Sequence, residues 1–229
     1  MAWLDKEDLE NAESDFTEAI RFDKWTAEYY DERGKVRIEK EDYKAARLDF
    51  TAAIRLSPEK PEPYRHRAST WMESGQFDKA IEDYNNAIRI DPNDALTLIS
   101  RGICHNERGD CAAAIKDYFK ALELDPKNEL ALNYLAWLHA TCSDKQCRNG
   151  KKAIELANRA CELSNWKIWY TIDTLAAAYA ESGDWENAVR RQEQVIEMLG
   201  DETEKQEALA RLNLYKQRKP CREPVQGKK

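Results

Sequence analysis

The chain has 229 residues, 34% of them charged, and a formal net charge of -7 at neutral pH. No 18-residue apolar run could span a bilayer, and the acidity argues against binding a phosphate backbone, since the only like-charged basic cluster is a weak one at residues 216–219. Met1 is soon followed by Asp5, Lys6, Glu7 and Asp8, so no secretory leader is read; a cytoplasmic location is favoured, while a segment of a longer exported or anchored protein stays open.

From the amino terminus, Leu9, Ala12, Phe16 and Ala19 fall at helical spacing and predict a helix with a small-aromatic-small face. The trio returns as Ala46, Phe50 and Ala53, as Ala80, Tyr84 and Ala87, and as Ala114, Tyr118 and Ala121. Pro58, Pro92 and Pro126 follow these three copies at a 34-residue interval. Upstream the register continues with one small crossing residue per unit, Gly34, Ala68, Gly102 and Ala136, whose poor helix propensity in the glycine cases must be offset by close packing. Full units are predicted at 27–60, 61–94, 95–128, 129–168 and 169–200, after a partial unit at 1–24 that is mainly a second helix. Only Ala2, Trp3 and Leu4 remain of its first helix, so the chain reads as a segment of a longer protein or, alternatively, as an array capped by a stub around Trp3.

Further along, Ala153 comes five residues later than the period requires, the excess falling in the polar stretch 141–150, and Ala157 stands where the other units have a ring. A last hairpin carries Ala176 and Gly183, then Trp185 and Ala188. Residues 201–219 place acids first and Lys/Arg last, with Ala208, Leu209, Leu212 and Tyr215 as an apolar stripe, and predict a solvating capping helix. Residues 220–229 are expected to be disordered. Cys104 and Cys111 occupy repeat positions held elsewhere by Thr70 and Phe77, and are expected to be core-filling thiols. Cys142, Cys147 and Cys161 surround the long turn; a Cys142 to Cys161 staple is open, and zinc is not favoured because His139 lacks paired ligand spacing.

Arginine precedes the small crossing residue at Arg33, Arg67 and Arg101, and sixteen residues later stand Asp49, Asp83 and Asp117. The fourth unit replaces both members, with Leu135 and Leu156, so the two positions are expected to touch across the hairpin as structural ion pairs. Asp15 lacks the matching arginine, and the last unit sets Leu175 against Arg191.

The stretches 74–92 and 108–126, with Gly75, Ala80, Tyr84, Ala87 and Pro92, and Gly109, Ala114, Tyr118, Ala121 and Pro126, resemble the tetratricopeptide repeat nearly throughout. The closing hairpins and the stretch 214–223 are similar to those of many bacterial members. The resemblance implies an all-α fold, a right-handed superhelical α-solenoid of antiparallel helix hairpins, whose first helices line a concave ligand wall. Carried onto this sequence, that wall is apolar in its centre and acidic at its ends, with candidates Arg65, Met72, Leu96, Ile99, Ile103, Asn106, Leu130, Asn133, Trp137 and Tyr170. It implies a protein or peptide ligand with apolar anchors and basic flanks. Capture of a C-terminal carboxylate, known for some members, is not expected, because the basic positions hold Asp31, Ile99 and Asn133 and only Arg65 is cationic.

There is no glycine-rich phosphate loop, nucleophile elbow or HExxH site, and His66, His105 and His139 occupy different repeat positions. The expectation is a non-catalytic scaffold with no catalytic residues, cofactor or metal, no nucleic-acid partner and no direct membrane insertion. Self-association through the incomplete first unit is the alternative, and an enzyme or small-ligand site the least favoured.

Overall fold

In the computed structural model, which describes residues 6–222, every regular element is an α-helix. The chain divides into two compact units with the boundary between Cys104 and His105, inside α6.

The first unit contains α1 (Lys6–Phe22), α2 (Ala27–Glu39), α3 (Tyr43–Leu56), α4 (Pro61–Glu73), α5 (Phe77–Ile90) and the start of α6 (Ala95–Glu107). Asp42 caps α3 by accepting from the Ala45 amide, and Pro61 opens α4, where a missing N–H costs nothing. Between α4 and α5, Gly75 adopts φ 67°; Glu41 takes the same left-handed position at φ 59° between α2 and α3, which a side chain tolerates less well. Helices α2 and α3 pair, α4 and α5 pair, and α3 packs on α4. The predicted trios supply the packing: Ala46, Phe50 and Ala53 are fully buried, as are Ala80, Tyr84 and Ala87. Their small members admit a neighbouring backbone while the ring fills the gap. A Cβ on Gly34 would lie 2.5 Å from the Phe50 ring, so this glycine is required by close approach. In α1, by contrast, Ala12, Phe16 and Ala19 are only half-buried. The Trp3 stub falls outside the described residues.

The second unit continues with α7 (Cys111–Leu124), α8 (Glu129–Thr141), α9 (Gly150–Leu163), α10 (Trp169–Glu181), α11 (Trp185–Met198) and α12 (Glu202–Lys216). Helix α10 packs against α8, α9 and α11, which explains why Thr171 to Ala178 are buried on every side. Alanines make this crowding possible: Ala140, Ala153, Ala177 and Ala178 form one cluster with Trp137 beside it. Helix α12 is capped by Asp201 and packs on α11, where Tyr215 joins Ala176, Ala180 and Ala188.

The long turn is tied down by its own polar groups. Arg148 donates to the carbonyls of Cys142 and Ser143 at 2.7 and 3.0 Å, and the Asn149 amide donates to the His139 carbonyl at 2.8 Å. The reading of the cysteines is corrected here. Cys111 is not a free core thiol: it forms a disulfide with Cys142, Cα atoms 6.7 Å apart, while Cys161 stays a buried free thiol. The pairing joins the first residue of α7 to the residue that ends α8, because these two helices pack against each other. Of the expected tail, residues 220–222 are described and form no regular element, with Arg222 donating to Glu181 at 2.5 Å and to the Ala140 carbonyl at 3.2 Å; residues 223–229 lie outside the described residues.

Candidate protein-interaction surface

In the first unit, α2 and α4 present a cavity of about 360 Å³ lined by Glu28, Asp31, Glu32, Glu59, Lys60 and Glu62 together with apolar atoms of Ala27, Pro61 and Pro63. Five carboxylates against one ammonium give it a negative lining. Some of that charge is engaged: Lys60 pairs with Glu28 and holds its carboxyl below the ordinary range by hydrogen bonding, and His66 Nδ1 lies 2.9 Å from Asp31. Glu59 and Glu62 face solvent.

The predicted wall residues do not form one open patch. Leu96 and Leu130 are exposed, at 55% and 39%, and offer apolar surface in the first and second unit respectively. Ile99 and Asn133 are buried, at 3% and 7%, and offer almost none. Met72 is half-buried against the cluster of Ala68, Ala80, Ile81, Tyr84 and Cys104, and Trp137 is half-buried against alanines of α8, α9 and α10. Ile103 and Asn106 are half-buried on α6. Arg65 is committed to Asp94 at 2.7 Å. Burial raises Asp94, but the Thr97 hydroxyl and the Arg65 charge together bring its carboxyl below the usual range. Tyr170 donates to Glu129 at 3.4 Å, and burial raises both groups.

The arginine series has a defined geometry. Arg33 Nε and Nη2 donate to Asp49 at 3.0 and 2.7 Å, and Arg67 Nε and Nη2 donate to Asp83 at 2.8 and 2.7 Å, in each case as a two-pronged fork. The remaining nitrogen of each arginine reaches one helix further back, to Thr17 at 3.1 Å, to Thr51 at 2.9 Å and, from Arg101, to Asn85 at 2.7 Å. Asp117 is buried on α7. The last hairpin builds its ion pair differently: buried Asp173 accepts from Arg211 of α12 at 3.0 Å and from Gln192 at 2.8 Å, although desolvation still raises its pKa. Gln192 occupies the ring position, and the half-buried Arg191 lies 4.6 Å from the Trp166 ring centroid. Sequence reasoning missed this arrangement because the cation comes from the capping helix.

Among the described residues no group of three or more His, Cys, Asp or Glu side chains could hold a metal ion, and no helix is long and apolar enough to cross a membrane.

Paired antiparallel helices with a small-aromatic-small core make this an all-α hairpin array of the tetratricopeptide type. The chain belongs to the family described as the ETO1 C-terminal domain, which it matches over residues 3–144, as far as the α8 to α9 turn. It is also similar to a tetratricopeptide repeat protein from Parabacteroides merdae, with 21% identity and a TM-score of 0.75 over 93% of this chain and 82% of that one. YrrB, described as a tetratricopeptide repeat protein with an unusual peptide-binding site, superposes with 15% identity and a TM-score of 0.68 over 85% of this chain and 97% of its own. A chain of the Cut9-Hcn1 hetero-tetramer gives 20% identity and a TM-score of 0.72 over 91% of this chain, which spans only 40% of that longer relative. No curated protein matches the sequence.

Proposed function

We propose that the chain is a non-catalytic protein-binding scaffold that takes a peptide or protein segment on its first-helix faces, with basic residues of the ligand at the acidic cavity of α2 and α4. That cavity carries the reading: five carboxylates around a concavity of about 360 Å³ suit a lysine or arginine side chain, whose stem would lie on Ala27, Pro61 and Pro63. In the first unit Leu96 supplies the apolar anchor; in the second, described by itself, Leu130, Trp137 and Tyr170 are the candidates for apolar contact. The reading is supported by the fold shared with YrrB and with Cut9-Hcn1, a peptide binder and an assembly subunit by their descriptions. The mildly acidic chain takes no nucleic acid and does not insert into a membrane under this reading, and the closing hairpins keep their likeness to bacterial arrays.

The test is fluorescence anisotropy with a labelled peptide carrying a central leucine pair and two lysines at each end. Glu59→Lys with Glu62→Lys should weaken binding about tenfold or more, with the effect shrinking at high salt. Equal affinity for the variant and the parent would reject the acidic cavity as the site.

One observation favours a second reading, self-association through the first unit: Phe22 and Trp25 are 85% and 71% exposed beside the half-buried face of α1. A concentration-independent monomer in sedimentation would dismiss it.

A further inference from the structure

Where α7, α8 and α9 meet, three positions depart from the earlier repeats, Phe119 in the third repeat and Leu135 and Leu156 in the fourth. Sixteen residues before each ladder arginine stands a polar acceptor, Thr17, Thr51 or Asn85; sixteen before Leu135 stands Phe119. Thus where the hairpins α2/α3 and α4/α5 set arginine on aspartate, with a side-chain acceptor one helix further back, this crossing sets Leu135, Leu156 and Phe119. The result is a cavity of about 260 Å³ on the side of the second helices of the hairpins, lined by Phe119 and Leu122 of α7, Leu135 of α8 and Leu156 of α9. Leu135 and Leu156 form its buried floor, at 0% and 5% exposure, and Phe119 stays 43% exposed at its lip.

Its rim is cationic in a chain of net charge -7. Lys152 Nζ lies 4.1 Å from the Phe119 ring centroid, and Arg159 Nη2 donates to the Pro126 carbonyl at 2.9 Å. Neither contact neutralises a charge. Glu155 stands between them on α9, and among the described residues no carboxylate pairs with Lys152 or Arg159, whereas Arg33, Arg67, Arg148 and Arg211 are all paired with carboxylates. Seven residues separate the two cations, which places them about 10 Å apart along the helix axis, with the apolar cavity opening between.

We propose that this cavity is a second docking site, distinct from the acidic cavity of α2 and α4, and that it receives an apolar side chain from an acidic amphipathic helix of a partner protein. Two carboxylates seven residues apart on the partner, with leucine or phenylalanine between them, reproduce the spacing of Lys152 and Arg159 in complementary charge. The anchor would remove Phe119 and the floor leucines from water, while each carboxylate meets a cation that has no ion-pair partner among the described residues.

The probe is a fluorescein-labelled helical peptide with a central leucine flanked by two glutamates at that spacing, titrated by anisotropy with the full chain. Saturable binding is expected, weakened about tenfold or more by Lys152→Glu with Arg159→Glu, and recovered when the peptide glutamates are changed to lysine. Phe119→Asn, which removes the apolar lip without touching either charge, should also weaken the parent peptide; circular dichroism would show that both variants remain helical. Glu59→Lys with Glu62→Lys should leave this binding unchanged, so the two sites fail or succeed separately. No binding of the peptide, equal binding by the rim variant, or binding of decanoate in place of the peptide would overturn the proposal.

Discussion

The hairpin α4/α5 of the first unit and the hairpin α8/α9 of the second solve the same crossing with opposite chemistry. In the first, Arg67 fills the space between helices by forking onto Asp83 and reaching Thr51, so the packing depends on every polar group having its partner. In the second, Leu135 and Leu156 occupy the corresponding places, both buried, and no charge has to be desolvated. The contrast teaches that the repeat accommodates either solution when both positions change together.

The largest effect should come from mixing them. Arg67→Leu strands Asp83, which is 3% exposed, and should cost about 3 to 5 kcal/mol in urea unfolding, while adding Asp83→Leu should return the chain to near parental stability or above it. Equal losses in the single and double variants would show that the two crossings are not interchangeable. Going the other way, Leu156→Asp alone should be comparably damaging in the second unit, and adding Leu135→Arg should recover part of the loss.

A smaller effect separates the units by redox state. Only the second contains a disulfide among the described residues, Cys111 to Cys142, closing a separation of 31 residues. Reduction should therefore destabilise that unit by about 2 to 4 kcal/mol, and Cys111→Ser should abolish the response of the melt to dithiothreitol. A melt indifferent to reductant in the parent chain would contradict the bond.

The smallest effect is one of pH. Burial pushes His139 below the ordinary histidine value of 6.5, against a Cys147 carbonyl 2.7 Å from Nδ1 that acts in the other direction and a Lys152 charge that adds to the lowering. A group with a depressed folded pKa contributes stability at higher pH, and that contribution is lost as pH falls below 6.5 and through the folded value. Hydrogen exchange around the α8 to α9 turn should accordingly quicken on acidification in the parent and respond less in His139→Gln. Identical pH dependence in the two chains would assign the acid sensitivity elsewhere.

Much of the scaffold could be read from local register. Ala46, Phe50 and Ala53 are spaced for one helix face, and the core places them there because that spacing is a property of the helix itself. The two leucines of the fourth repeat were equally visible, since paired change within one chain points to contact. What escaped depends on how separate helices meet. The sequence left open a bond from Cys142 to Cys161 along one hairpin, but the bond goes to Cys111, a neighbour through the packing of α7 on α8. Counting positions along each first helix could not show that Ile99 and Asn133 would be buried while Leu96 and Leu130 stayed open. Phe119 did carry a signal, in the Thr17, Thr51 and Asn85 series that it ends, yet that series gains meaning only once the arginine nitrogens are seen to reach it.

Glu181 closes α10 with one oxygen on Arg148 of the lengthened turn and the other on Arg222. A single carboxylate thus latches the carboxyl-terminal strap onto an insert far upstream, and Arg222 adds a grip on the Ala140 carbonyl just before it. Trimming the chain at Pro220 would loosen a segment that the trimmed residues never touch in sequence, and a dye attached through Cys221 would report on the insert rather than on a dangling end.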